Sequence, residues 1–205
     1  MGRILLIKPP LCSVCGTPLG SGSHGDKCDE CGSNPPAFDY ARSAAVYEGV
    51  IKDAIHHFKF NGKERLVETL AGLILNMLEK DGIMNKGDLV LVPVPLSRAR
   101  KRERGYNQSE ILARYISERT AIPVDTSLLK KTRNARPQSE LDRRERLVNL
   151  KGAFRAEGSS GLNVLLIDDI YTTGSTVREA AYALKADGAA SVVVATVARA
   201  VLVEV

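Results

Sequence analysis

The sequence predicts an α/β fold, a central parallel sheet flanked by helices, with a small four-cysteine ribbon at its N-terminal end. Three observations predict it. Residues 89–92 and 164–167 are unbroken apolar runs and 191–198 is a third, dominated by Val and Ala; such runs suit strands buried on both faces of a parallel sheet. Between them lie apolar stripes at helical spacing, Leu66, Leu70, Leu73, Ile74 and Met77 in one, Val177, Ala180, Ala181 and Leu184 in another. All four cysteines fall in the first segment, as two C-x2-C pairs.

The ribbon comes first in the chain. Cys12 and Cys15 form one pair and Cys28 and Cys31 the other, each followed by a glycine, Gly16 and Gly32. Four thiolates so spaced can surround one tetrahedral zinc ion, while the glycines let the backbone turn its N–H groups toward sulfur. The Gly- and Ser-rich stretch between the pairs is too poor in apolar residues for a core of its own, and a structural metal replaces one. Two disulfides are the rival arrangement, but they conflict with a cytoplasmic chain. His24 lacks a partner histidine and reads as a loop residue. Pro35-Pro36 marks the boundary, with 1–36 as ribbon and 37–205 as the main domain.

Beyond it, residues 41–47 suit a strand, and Val50, Ile51, Ala54, Ile55 and Phe58 make a short helical stripe. His56 and His57 are neighbours and point in different directions, so they are no metal pair. Residues 59–63, Lys-Phe-Asn-Gly-Lys, break the pattern before the next helix. The strand at 89–92 ends in Pro93-Val-Pro95, which stops the ladder and stiffens a turn at the strand's carboxyl end. Arg98, Arg100, Lys101, Arg102 and Arg104 follow, then Gly105-Tyr-Asn-Gln108 opens a helix, with Asn107 as its N-cap. Leu128-Leu129 suits a short strand. From 132 to 146 the only apolar side chains besides Pro137 are Ala135 and Leu141, too few to cover a core, so the run reads as a mobile loop or a solvated helix, with a mobile basic loop over about 131–149 as the expectation. Arg133, Arg136, Gln138, Arg143, Arg144 and Arg146 could close it over an anion.

Composition narrows the classes. At 44% hydrophobic and 26% charged the chain is of soluble globular type. It has no apolar run near the roughly 20 residues of a membrane span, and residues 4–7 are too short for a signal-peptide core. A cytoplasmic location is expected. The net charge of +5 hides a concentration: residues 97–155 carry sixteen Lys and Arg against seven Asp and Glu. Such a positive field suits a polyanion, either a pyrophosphate group or a nucleic-acid backbone. With no Trp in the chain and Tyr106 the sole aromatic in the densest cluster, phosphate contacts would outweigh base stacking.

Residues 163–176 organise the rest. Asp168 and Asp169 follow the apolar run where a strand surfaces, then Thr172-Thr173-Gly174-Ser175-Thr176 turns into a helix that Gly188 stops. Ligands of open α/β sheets bind at strand carboxyl ends, and a helix N-terminus favours an anion. Helix capping alone needs one hydroxyl and leaves the paired acids unexplained. The stretch lacks the Lys of a GxxxxGK[ST] loop and the spacing of a dinucleotide fingerprint.

It resembles the binding motif of type I phosphoribosyltransferases, in which the acids bind the ribose hydroxyls of phosphoribosyl pyrophosphate (PRPP) and the turn holds its 5′-phosphate. Together with the four-Cys ribbon, Val92-Pro-Val-Pro95, Arg104-Gly-Tyr-Asn-Gln108, Lys130-Lys-Thr-Arg133, Pro137-Gln138, Leu141, Arg146, Asn149 and Phe154, the whole chain is similar to the ComF family. That resemblance implies the type I phosphoribosyltransferase fold and a role in natural competence, handling incoming single-stranded DNA with a partner helicase. It further implies that Ser97, Arg98 and Arg104 face the pyrophosphate with Mg²⁺, and that Asp168 and Asp169 hold the ribose and steady any oxocarbenium-like ring. The basic window itself, with Arg98, Arg100, Lys101, Arg102 and Tyr106, is the expected DNA contact. A catalytically active phosphoribosyltransferase and a PRPP-sensing regulator are the alternatives. No acceptor pocket is legible.

Overall fold

A computed structural model describes residues 3–20, 25–60, 65–85, 87–132 and 152–201. His24 and the basic positions from Arg133 to Arg146 lie outside the described residues, so the predicted loop is represented only by Lys131 and Thr132.

Four strands, β1 (Tyr40–Val46), β2 (Leu89–Pro93), β5 (Asn163–Tyr171) and β6 (Ser191–Arg199), form one parallel sheet in the order β1-β6-β5-β2. A parallel bridge from Leu91 to Val124 extends the β2 edge. Two short strands, β3 (Leu129–Lys131) and β4 (Phe154–Ala156), pair antiparallel beside it. The fold class expected from the apolar runs is therefore the one observed.

Burial on both faces explains why these strands read as continuous apolar runs rather than alternating ones. On one face Leu165, Ile167, Val193 and Ala195 pack under helices α2 (Gly49–Phe60), α3 (Arg65–Lys80) and α5 (Gln108–Thr120), through Ile55, Phe58, Ile74 and Leu112. On the other, Val164, Leu166, Val192 and Val194 meet α6 (Ser175–Ala186) through Val177, Ala180, Ala181 and Leu184. Cys12, Cys15 and Cys31 are buried in that second core together with Phe38 and Ala41. The ribbon is thus packed on the sheet rather than held apart from it. Each fully buried Leu or Ile stabilises the fold by about 1.5–3 kcal/mol.

Three local expectations change. Strand β5 does not end at Ile167: β6 continues alongside it, pairing Asp168 with Thr196 and Tyr171 with Arg199, so both acids sit inside a strand. The Arg-rich stretch is itself a short helix, α4 (Arg98–Arg104), capped by the Ser97 hydroxyl accepting from the Arg100 N–H at 3.3 Å and closed by Gly105 at φ 79°. Gly16 turns at φ 70° as expected, but Gly32 lies in a one-turn helix, α1 (Asp29–Ser33), so the second knuckle is helical.

Candidate functional site

The four cysteines converge. Their sulfurs all lie within 4.8 Å of one another, and none is in a disulfide. Cys15 Sγ and Cys28 Sγ are 3.7 Å apart. Two ligands at about 2.3 Å from a tetrahedral ion would be about 3.8 Å apart, so the donor set fits zinc. The N–H groups of Cys15 and Cys28 point at Cys12 Sγ, at 3.5 and 3.3 Å. Burial raises the Cys12 thiol, but N–H groups from Cys15, Cys28 and Val14 outweigh it and bring it down to about 7. These four residues can hold a metal such as zinc, and a divalent ion there would deprotonate the remaining thiols.

A second site lies at the carboxyl ends of β2 and β5. Its walls include Lys59 from the end of α2, Ser97, Arg100 and Arg104 around α4, Gln108 and Ser109 from the start of α5, Lys131 from β3, Asp168 and Asp169 from β5, and Thr172 and Thr176 from the turn into α6. Four cations face two carboxylates. The excess positive charge suits a ligand carrying several negative charges.

The two acids differ. Asp169 is buried, and its Oδ2 takes the Lys59 ammonium at 2.6 Å. Asp168 Oδ1 accepts from the Ser109 hydroxyl and from the Asp169 N–H, both at 2.9 Å. Burial, then the adjacent Asp169 charge, push Asp168 up to about 7, against the pull of the Asp169 N–H, Lys59 and Ser109. Lys131 is lowered by burial and by Arg100, with Asp168 opposing.

The Arg-Gly-Tyr-Asn-Gln stretch explains how the basic side holds still. Arg104 donates to Gln108 Oε1 at 3.1 Å and lies over the Phe60 ring. Tyr106 donates its hydroxyl to the Phe58 carbonyl. Asn107 donates to the Val94 carbonyl at 3.1 Å while its Oδ1 caps α5 through the Ser109 N–H. Gln108 reaches the Lys59 carbonyl at 3.5 Å. These bonds join the ends of α2 and β2 to the start of α5, and so place Lys59 and Arg104 in one wall.

Of the residues expected at the phosphate turn, Thr172 and Thr176 line this cleft, while Thr173 lines an adjoining one against the ribbon. Ser175 is 2% exposed, and its hydroxyl bonds that of Thr173 at 2.6 Å. Gly174 stands at the N-cap of α6 at φ 78° with no side chain to offer, and the Thr173 hydroxyl accepts the Ser175 N–H at 3.4 Å instead. Ser97, Arg104, Asp168 and Asp169 line the same cleft. Arg98 is exposed and outside the cleft lining, and Arg100, from the same turn of α4, stands there instead. Lys101 and Arg102 are exposed on α4, and Tyr106 is a tether between helices. Sequence reasoning missed Lys59 and Ser109; each is adjacent to a recognisable pattern break, but nothing in the sequence pairs either with an acid more than fifty positions away.

Residues 70–201 match the family of the phosphoribosyl transferase domain. The chain is 34% identical to the "DNA utilization protein YhgH" of Salmonella typhi over 186 residues, covering 89% of this chain and 81% of that one. It is 30% identical to "Competence protein F" of Haemophilus influenzae, over 93% of this chain and 85% of the relative. With "Competence protein ComFC" of Bacillus subtilis the identity is 32%, over 73% and 60%. No helix among the described residues is long and apolar enough to cross a membrane. With a type I phosphoribosyltransferase sheet, a convergent four-cysteine site and these relatives, the chain belongs to the ComF family.

Proposed function

We propose that this chain is a cytoplasmic competence protein that binds PRPP with Mg²⁺ in the cleft and handles single-stranded DNA, with a helicase partner, during DNA uptake. Residues 1–36 form its metal ribbon and 37–205 its ligand-binding domain. The observation that carries the reading is the meeting of Asp168, Asp169, Thr172 and Thr176 with Lys59, Arg100, Arg104 and Lys131 in one cleft. The acids would accept the ribose hydroxyls, the turn would take the 5′-phosphate, and the cations would face the pyrophosphate, whose oxygens bring the Mg²⁺. The names of the relatives support the DNA role.

Turnover is the second reading. Cations beside a departing pyrophosphate would stabilise its growing charge, and Arg100 and Lys131 line the cleft beside the acids. Titration calorimetry with PRPP and Mg²⁺ tests the first step. Wild type is expected to bind, and Asp168→Asn to lose at least about tenfold in affinity, the equivalent of one charge-assisted hydrogen bond. Equal binding by both proteins, or none by wild type, would overturn the assignment. Pyrophosphate release across a panel of bases and nucleic acids then separates binding from chemistry.

A further inference from the structure

The ribbon and the phosphate turn are joined by a short path of buried contacts. Arg199, the last residue of β6, is 7% exposed. Its Nη1 donates to the Cys15 carbonyl at 2.8 Å and its Nη2 to Cys15 Sγ at 3.4 Å. The guanidinium carbon lies 4.0 Å from the centre of the Tyr171 ring. Tyr171 in turn is packed directly beneath the turn: a Cβ built on Gly174 would collide with the Tyr171 hydroxyl and ring. Gly174 is the residue from which α6 starts. Metal ligand, arginine, aromatic ring and phosphate turn therefore touch in series.

Two further facts give the path a direction. No carboxylate pairs with Arg199 among the described residues. A buried guanidinium without a counter-charge is costly, and four thiolates around a divalent ion carry net negative charge beside it. The first turn of α6 is also tied to the ribbon, since Arg178 donates to the Asn34 carbonyl at 2.8 Å and approaches Glu30 at 3.8 Å. A ribbon of this kind folds around its metal, so metal binding decides whether the Cys15 carbonyl and sulfur are in place to hold Arg199.

We infer that Arg199 and Tyr171 are positioning residues that couple the four-cysteine metal site to the phosphate turn, so that zinc and a phosphoribosyl ligand strengthen each other's binding. The inference rests on the phosphoribosyl reading of the turn. Coupling between two binding sites is reciprocal: if zinc tightens the ligand, the ligand must tighten zinc by the same factor in affinity. A merely structural arginine would lower stability without linking the two events.

The test uses the full-length zinc-loaded protein. Zinc affinity is measured by equilibrium competition with a chromophoric chelator, with and without saturating PRPP and Mg²⁺, and PRPP affinity is measured by calorimetry on the same preparations. For wild type, PRPP is expected to tighten zinc by about fivefold or more, the low end of ordinary coupling. Arg199→Met, loaded with one zinc per chain, is expected to lose most of that tightening and to bind PRPP more weakly. Arg199→Lys keeps the charge without the planar fork, and is expected to recover only part of the coupling. Should Arg199→Met fail to hold zinc, Tyr171→Leu, which leaves the Cys15 contacts intact, carries the same prediction. An unchanged PRPP effect in the zinc-loaded variants overturns the inference and leaves the phosphoribosyl reading standing. Failure of zinc-loaded wild type to bind PRPP overturns both.

Discussion

Asp168 and Asp169 show how one dipeptide can serve two purposes. Asp169 has its own cation in Lys59, whereas Asp168 is held close to neutral by burial and by its neighbour, with its carboxyl raised to about 7 from 3.8. The folded protein therefore binds more protons than the unfolded chain between those values, and stability falls as pH rises from about 4 to about 7. Asp168→Asn is expected to raise Tm by about 2–6 °C at pH 8 and by little near pH 4, as read by thermal scans, while weakening the ligand. The same sign applies to binding: an acceptor carboxylate must be ionised, so PRPP affinity is expected to drop by up to about tenfold per unit as pH falls below 7. A flat affinity between pH 6 and 8 would contradict this. For Lys59→Met the expected loss is about 1–2 kcal/mol of stability, moderated because the pair is partly exposed, with PRPP affinity also lower by calorimetry.

At the scale of elements, the cleft depends on how helix ends are fastened. Asn107 does not line it, yet it caps α5 and grips the Val94 carbonyl at the end of β2. Asn107→Ala is expected to cost about 1–2 kcal/mol in denaturant titration and to weaken PRPP binding through displaced Arg104 and Ser109. Strand β5 and helix α6 meet at Gly174, whose φ of 78° and close approach to Tyr171 exclude a side chain. Gly174→Ala is expected to abolish PRPP binding by calorimetry while zinc content stays at one per chain. The glycine is legible from the motif, but its reason is visible only with Tyr171 beneath it.

Over the whole molecule, charge is divided between two surfaces. Arg100 and Arg104 turn into the cleft, while Lys101 and Arg102 remain exposed on α4. The basic window read from the sequence is thus not one site, because a helix sends successive residues to different sides. Lys101→Ala/Arg102→Ala is expected to weaken single-stranded DNA and to lower the slope of log affinity against log salt by about 1.4, two phosphates at about 0.7 each. Fluorescence anisotropy over a salt series measures it, and unchanged affinity would remove α4 from the DNA surface. The ribbon is likewise more than an appendage, since its buried cysteines share a core with β2, β5 and β6.

The amino-acid order alone was enough for the buried strands, the amphipathic helices, the four-cysteine ribbon and the acid-rich motif with its turn. All of these are local patterns, in which spacing and residue type carry the information. Tertiary structure decided which cations face Asp168 and Asp169, why Tyr106 and Asn107 stand where they do, and that Arg199 touches both Cys15 of the ribbon and Tyr171 beneath the Gly174 turn. Lys59 is 110 positions from Asp169, and Arg199 is 184 from Cys15. Periodicity reports which face of an element is buried, but such pairs depend on strand order, register and the angle at which each helix leaves the sheet, and those are settled only when the two cores close on opposite faces of β5 and β6.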